Sequence, residues 1–183
     1  MKGSLLFTLD GAPSGMGIKR TSDIVAVSFS VTESAPNTYT QEQVNLALDV
    51  LNNEVFVAVC IDLDPSVPDA IAATDTSTSC QLTTTSKAGP VQLSDANCLA
   101  HTQNAIRAAG FVDGGVGFVR TSLDTPPAAL DYIGIIATDN FFVAINSSNN
   151  ASAKTLNGRL WGYRAKADAA TYAALVQSEV LSS

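Results

Sequence analysis

Asp131-Tyr132-Ile133-Gly134-Ile135-Ile136-Ala137-Thr138-Asp139-Asn140-Phe141-Phe142-Val143-Ala144-Ile145 carries the strongest conformational signal in the chain. β-branched and aromatic residues fill both halves of this stretch, and such side chains suit a pleated, half-buried surface. Asp139-Asn140 sits between the halves with the residue types of a tight turn, so residues 132–145 read as an antiparallel hairpin. A chain organised around hairpins builds antiparallel sheet, and that expectation orders the reading outward from here.

Downstream, Asn146 to Ser152 is a polar loop in which Asn146-Ser147-Ser148 and Asn150-Ala151-Ser152 match the glycosylation acceptor pattern, which marks surface and little more. Residues 156–163 read as a strand with a kink at Asn157-Gly158. Asp168 then opens a terminal helix with Tyr172, Leu175, Val176 and Val180 on one face. Upstream, 116–121 reads as a strand introduced by Asp113-Gly114-Gly115. Ser94 caps an expected helix over 94–109 that stops at Gly110. Residues 80–85 and 90–93 are short strands, and the polar stretch from Pro65 to Ser79 is an excursion over the surface.

Nearer the N-terminus, 54–63 and 24–31 read as strands, the second alternating apolar with small polar residues after its first pair. Over 40–51 two templates compete. Thr40 and Gln43 form a capping box, and Val44, Ala47, Leu48 and Leu51 make a helical stripe. Val44, Leu46, Leu48 and Val50 also alternate, and as a strand they would turn at Asn52-Asn53 into 54–63 as a long hairpin. The cap, the Leu/Ala content and the stripe together favour helix. Leu5 to Leu9 reads as a first strand, followed by a loop holding Gly11, Pro13, Gly15 and Gly17.

Strands and helices do not alternate regularly, which excludes a doubly wound parallel sheet, and no repeat of 20–50 residues is visible. The expected fold is therefore α+β: one domain over residues 1–183, with a mainly antiparallel, sandwich-like β core, two or three helices including a C-terminal one, and residues 1–20 as an extended N-terminal arm.

Composition narrows the function. Charged residues make up 15% of the 183, against roughly 25% in an average domain. Ten Lys and Arg against seventeen Asp and Glu leave a net charge of −7, the wrong sign for neutralising a phosphate backbone, so direct nucleic-acid binding is not expected. No apolar run reaches the ~18–20 residues of a membrane-spanning helix, and no membrane partner is expected. A compact monomer of 19.0 kDa exposes about 8,400 Å². Twenty-seven charges are few for that area, and burial of part of it against further copies explains the shortage economically.

No motif names a reaction. Ser-His-Asp chemistry would need His101, the one histidine, which lies in the expected 94–109 helix, and no G-x-S-x-G elbow is present. A Cys/His zinc site would need Cys60, Cys80, Cys98 and His101 to converge; Cys60, inside the apolar run from Val55 to Ile61, reads as a small buried hydrophobe. Gly11 to Thr21 has glycines before a basic pair, but Ile18 separates Gly17 from Lys19 and breaks the Walker A spacing. Asp62 and Asp64 share a strand face, which suits an oxygen-ligated divalent cation, or simply solvates the strand's end before Pro65 and Pro68. Arg159 and Arg164 bracket Trp161 and Tyr163, and guanidinium beside aromatic faces makes a subunit contact or a ligand platform. No catalytic, metal or cofactor-binding residue is assigned, and no cofactor or enzymatic activity is expected.

The pattern fits a self-assembling structural subunit. The expected role is a viral or phage virion component of the coat or capsid-decorating kind, placed in the virion and partnered by copies of itself and other virion proteins. Arg159, Trp161, Tyr163, Arg164, the N-terminal arm and the C-terminal helix are its expected contacts. The alternative is an extracellular β-rich module that binds carbohydrate, or a ligand through Ca²⁺, using Trp161, Tyr163, Asp62 and Asp64.

Overall fold

Inward-facing Val, Leu, Ile and Phe alternate with small polar residues along most segments, and that period of two builds two stacked antiparallel sheets. The computed structural model describes residues 17–110, 116–122 (backbone alone from 118) and 130–181. The expected strand at 5–9 and nearly all of the arm and glycine loop lie outside the described residues. Those that are described, Ile18–Arg20, form a strand paired with the chain's own penultimate element.

The first sheet contains β1 (Ile18–Arg20), β2 (Val25–Thr32), β4 (Glu54–Pro65), β8 (Gly134–Ile136) and β10 (Thr155–Ala167). β10 is flanked on one side by β4, which in turn pairs with β8, and on the other by β1 and β2 following one another along the same edge. The second sheet, β3-β9-β5-β6-β7, contains β3 (Thr40–Asn45), β5 (Thr76–Thr83), β6 (Cys98–Arg107), β7 (Val116–Ser122) and β9 (Asn140–Ser148). Between the sheets lie Phe29, Val31, Phe56, Leu156 and Leu160 from one side and Leu82, Phe141, Val143 and Ile145 from the other. Phe29 meets Phe141 edge to face, with ring centroids 5.8 Å apart. A second apolar layer on the back of the first sheet, including Val55, Val57, Tyr163 and Ala165, is covered by Tyr172, Leu175 and Val176 of α1 (Ala169–Leu181).

The β-rich, sandwich-like architecture and the C-terminal helix agree with the sequence reading. The expectation of two or three helices does not: α1 is the one α-helix among the described residues. Over 40–51 the alternation decides. Val44, Leu46 and Leu48 all pack into the core while Leu51 is 92% exposed, and β3 completes the edge of β9. An isolated helix of that length is marginal, whereas a strand beside β9 satisfies its backbone at once. It does not form a hairpin with β4 either: Val50–Asn52 is a single 3₁₀ turn, after which the chain crosses to the other sheet. The expected helix at 94–109 is strand β6, with Cys98, Ala100, Thr102 and Ala105 buried. Its buried residues are small, so the period of two is faint and the Ala content imitates a helix.

The 132–145 hairpin is also corrected. Both halves are extended, but β8 pairs with β4 in the first sheet, and β9 lies between β3 and β5 in the second. The turn residues Asp139-Asn140 make a corner between layers rather than a hairpin tip, with the Leu46 amide donating to the Asp139 carbonyl. Nine residues of β9 find longer partners in β3 and β5 than three-residue β8 could supply. Residues 90–93 form no strand; their loop returns to the second sheet, where the Val91 amide donates to Gln81 Oε1. β5 starts at Thr76, inside the stretch expected to wander over the surface.

Candidate functional site: the outer face and open edge of the first sheet

β4 carries a bulge that sets up the site. Its register against β10 jumps from Cys60↔Trp161 to Ala58↔Gly162, so Val59 is the extra residue. Phe56 and Ala58 therefore point into the sandwich, and beyond the bulge Ile61 and Leu63 do so, while Cys60, Asp62 and Asp64 stand on the outer face. This corrects the reading of Cys60, which is exposed; Cys80 and Cys98 are buried. Burial pushes the Cys98 thiol up to about 11, with Asp95 adding to it, and pushes Cys80 up as well. The expected kink at Asn157-Gly158 is absent from β10's register, and the glycines there serve packing instead. A Cβ on Gly158 would lie 2.3 Å from the Phe29 ring, and one on Gly162 2.3 Å from the Phe56 ring.

Opposite β4, β10 presents Asn157, Arg159 and Trp161, with Asp64, Asp62 and Cys60 as their respective register partners. The Arg159 guanidinium lies 5.5 Å from the centroid of the Trp161 ring, and its Nε donates to Ser28 Oγ at 3.3 Å. Asp62, Asp64, Asn157, Gly158, Arg159 and Trp161 line a shallow, open depression of about 300 Å³. The structure thus brings Asp62, Asp64, Arg159 and Trp161 together, four residues singled out from the sequence.

Tyr163 and Arg164 belong elsewhere. Tyr163 is 2% exposed, with the Arg20 guanidinium 4.7 Å above its ring. Arg164 braces the β3–β4 connection: it donates to the carbonyls of Leu46 (2.7 Å) and Ala47 (2.8 Å) and pairs with Glu54 at 2.9 Å. Both side chains serve the fold. His101 lies on β6 opposite Gln81 and Ser122, in the other sheet from Asp62. Among the described residues no three His, Cys, Asp or Glu side chains gather to hold a metal ion, so Asp62 and Asp64 stand as a pair. No described helix is long and apolar enough to cross a membrane.

The sheet's edge was not singled out from the sequence. β2 pairs with β10 on one side, and among the described residues no strand lies on its other side. The Glu33 amide donates to the Lys154 carbonyl, which sets the parity of the pairing. Odd-numbered residues turn their backbone groups to β10, and Ala26, Ser28, Ser30 and Thr32 turn theirs outward. All four are exposed. The sequence clue is the run Val25-Ala26-Val27-Ser28-Phe29-Ser30-Val31-Thr32 itself, which holds no charge, Pro or Gly.

Two polar clusters hold the framework. At one end, Glu33 is buried and accepts from the amides of Ser147 (2.8 Å) and Lys154 (2.9 Å). Nearby, Lys154 pairs with Asp69, and that ammonium holds the Asp69 carboxyl below its usual value, helped by the amides of Ala151 and Ser152. Asn150, one of the two acceptor-pattern residues, is buried and its side-chain Nδ2 donates to the carbonyls of Ser77 and Ser148. At the other end Glu179 of α1 is buried and accepts from the amides of Ala137 (3.1 Å) and Thr138 (3.2 Å). Desolvation by burial pushes its carboxyl up to about 7 against the pull of those amides.

No protein-family model and no curated protein sequence matches the chain. Among solved structures, a chain from Desmodium yellow mottle tymovirus aligns over 88% of this chain and 94% of its own at 15% identity. Its TM-score is 0.33, a superposition too loose to equate the two folds.

Proposed function

We propose that the protein is a self-assembling structural subunit, a virion component of the coat or capsid-decorating kind, that works by association and not by turnover. Its partners are then copies of itself and other virion proteins, and its place is the virion. The observation that carries this reading is the β2 edge, which no described strand covers: eight residues without a charge in a chain where charges are already scarce. The net charge of −7 suits a component that does not package nucleic acid by charge. Light scattering on the purified protein, followed by negative-stain microscopy of any large fraction, tests it. Defined oligomers, rings, tubes or shells are the expected result. A 19.0 kDa monomer over a wide concentration range would overturn self-assembly.

A second reading is favoured by one observation, the gathering of Trp161 with Asp62, Asp64 and Arg159 around an open depression. An aromatic ring flanked by carboxylates and a guanidinium suits a sugar, with the ring as platform and the charged groups as hydroxyl partners. In this reading the protein is an extracellular binding module. Trp161 fluorescence should then respond to a glycan in a broad panel, alone or with Ca²⁺, and Trp161→Ala should abolish the response. An unchanged spectrum across the panel counts against it.

A further inference from the structure

Among the described residues, the strands that end the two sheets are not alike. β8 has three residues, β3 has six and carries Glu42, and β7 carries Arg120; brevity and charge are the usual devices that keep an edge from pairing with another chain. β2 is longer than all three and has neither device. Its four outward-turned residues, Ala26, Ser28, Ser30 and Thr32, each offer one N–H and one C=O at alternate positions, with side chains small enough for a second backbone to come close.

We infer that the β2 edge is a homotypic interface, pairing antiparallel with β2 of a second copy about a two-fold axis at Phe29; the inference rests on the self-assembly reading and gives it a surface and a register. The register follows from parity. Only residues that turn outward can form hydrogen-bonded pairs. Placing Phe29 opposite Phe29 of the second copy sets Ala26 against Thr32 and Ser28 against Ser30, each twice by symmetry. All four outward residues of both copies are then used, in four pairs of two N–H···O bonds each. Displacing the axis by one residue to Ser28 leaves Thr32 unpaired within the strand. No charge from either strand meets the seam, and Val27, Phe29 and Val31 would continue the sandwich core from one copy into the next. Two five-stranded sheets become one of ten. The contact is isologous, so it closes as a dimer, and larger assemblies use it together with other surfaces.

Single-cysteine variants read the register directly. In a Cys60→Ser background, which removes the exposed native thiol, Ser28→Cys and Ser30→Cys proteins are oxidised separately and as a mixture. Hydrogen-bonded antiparallel partners stand about 5.5 Å apart at Cα, within disulfide reach, so the mixture should give several-fold more covalent dimer than either variant alone. In the native background, Ser30→Pro removes an outward N–H without touching the bonds to β10, and Ser30→Lys places a charge on the seam. Each should weaken association at least about tenfold while leaving the far-UV spectrum unchanged. If the wild type associates but neither Ser30 variant weakens it and the mixture shows no excess cross-link, the β2 interface is overturned and the self-assembly reading stands. If the wild type is monomeric at every concentration, both fail together.

Discussion

Glu179 shows how one side chain can set a solution property of the whole chain. Its Oε2 takes the two amides at the corner where the chain passes from one sheet to the other, and Oε1 lies beside Thr84 without a well-formed hydrogen bond. The folded protein keeps this proton up to about pH 7, whereas the unfolded chain releases it near the ordinary value of 4.5. The stability linked to this group is thus fully present below about 4.5 and is lost as pH rises through 7. Glu179→Gln keeps an acceptor for the two amides and removes the charge. Thermal melts should show it more stable than wild type at pH 8 by about 1–3 kcal/mol and nearly equal to it at pH 4.5. Tyr172 and Asp139, which face this corner, are unchanged in that comparison. Gly162 makes the opposite point, a residue defined by what it lacks. Ala there would drive a methyl into the Phe56 ring and the Val57 carbonyl, so urea titration of Gly162→Ala should show a loss of about 1–3 kcal/mol or more. A maleimide should label Cys60 rapidly in the native protein and reach Cys80 and Cys98 only after denaturant is added.

At the level of elements, α1 is held by its ends as much as by its face. Asp168 Oδ1 accepts the Thr171 amide at 2.7 Å, and this bond holds the Asp168 carboxyl below its usual value. The Asp168 amide in turn donates to the Gly17 carbonyl, where φ is +65° and a Cβ would collide with the Asp168 carboxylate. Asp168→Ala should loosen α1, measured as faster amide exchange in its first turn. Among the strands, the lesson is how pairing overrides local preference. Residues 40–45 and 98–107 carry helix-like composition, yet each completes a sheet in which β9 or β5 would otherwise lack a neighbour. The β2 edge is the reverse case, a segment whose strand character is plain in the sequence but whose lack of a second described neighbour could not be read from it.

For the molecule as a whole, the proposed association sets an uncharged β2 seam against the net charge of each copy. Each copy carries −7, so bringing two together costs electrostatic work that salt reduces. Association measured by sedimentation should therefore strengthen between about 0.05 and 0.5 M NaCl; weakening over that range would point to an interface built on ion pairs instead. The sandwich leaves both outer surfaces unlike one another. The first sheet's back is closed by α1 at the Tyr163 end and open at the Trp161 end, while the second sheet is partly covered by the loop through Val91.

By itself the sequence determined the class of this protein. Alternation in 24–31, the strand-length apolar run within 54–63, the strand signal of 156–163, the turn residues and the Asp168 cap specify an antiparallel β core with a terminal helix, because these signals act over a few residues. It also placed Arg159 and Trp161 on one strand, and Asp62 and Asp64 together on one face of another. Tertiary structure alone decided the rest. Whether 132–145 closes on itself depends on whether β9 has longer partners elsewhere, and those partners lie some 60–100 residues away in the chain, at β5 and β3. The exposure of Cys60 depends on a one-residue bulge against β10. The burial of Glu179 depends on the corner at Ala137 and Thr138, whose amides close over it from about 40 residues away in the chain. Each is a consequence of long-range pairing, which exchanges local preference for satisfied backbone groups and buried area, and no window of sequence contains both sides of that exchange.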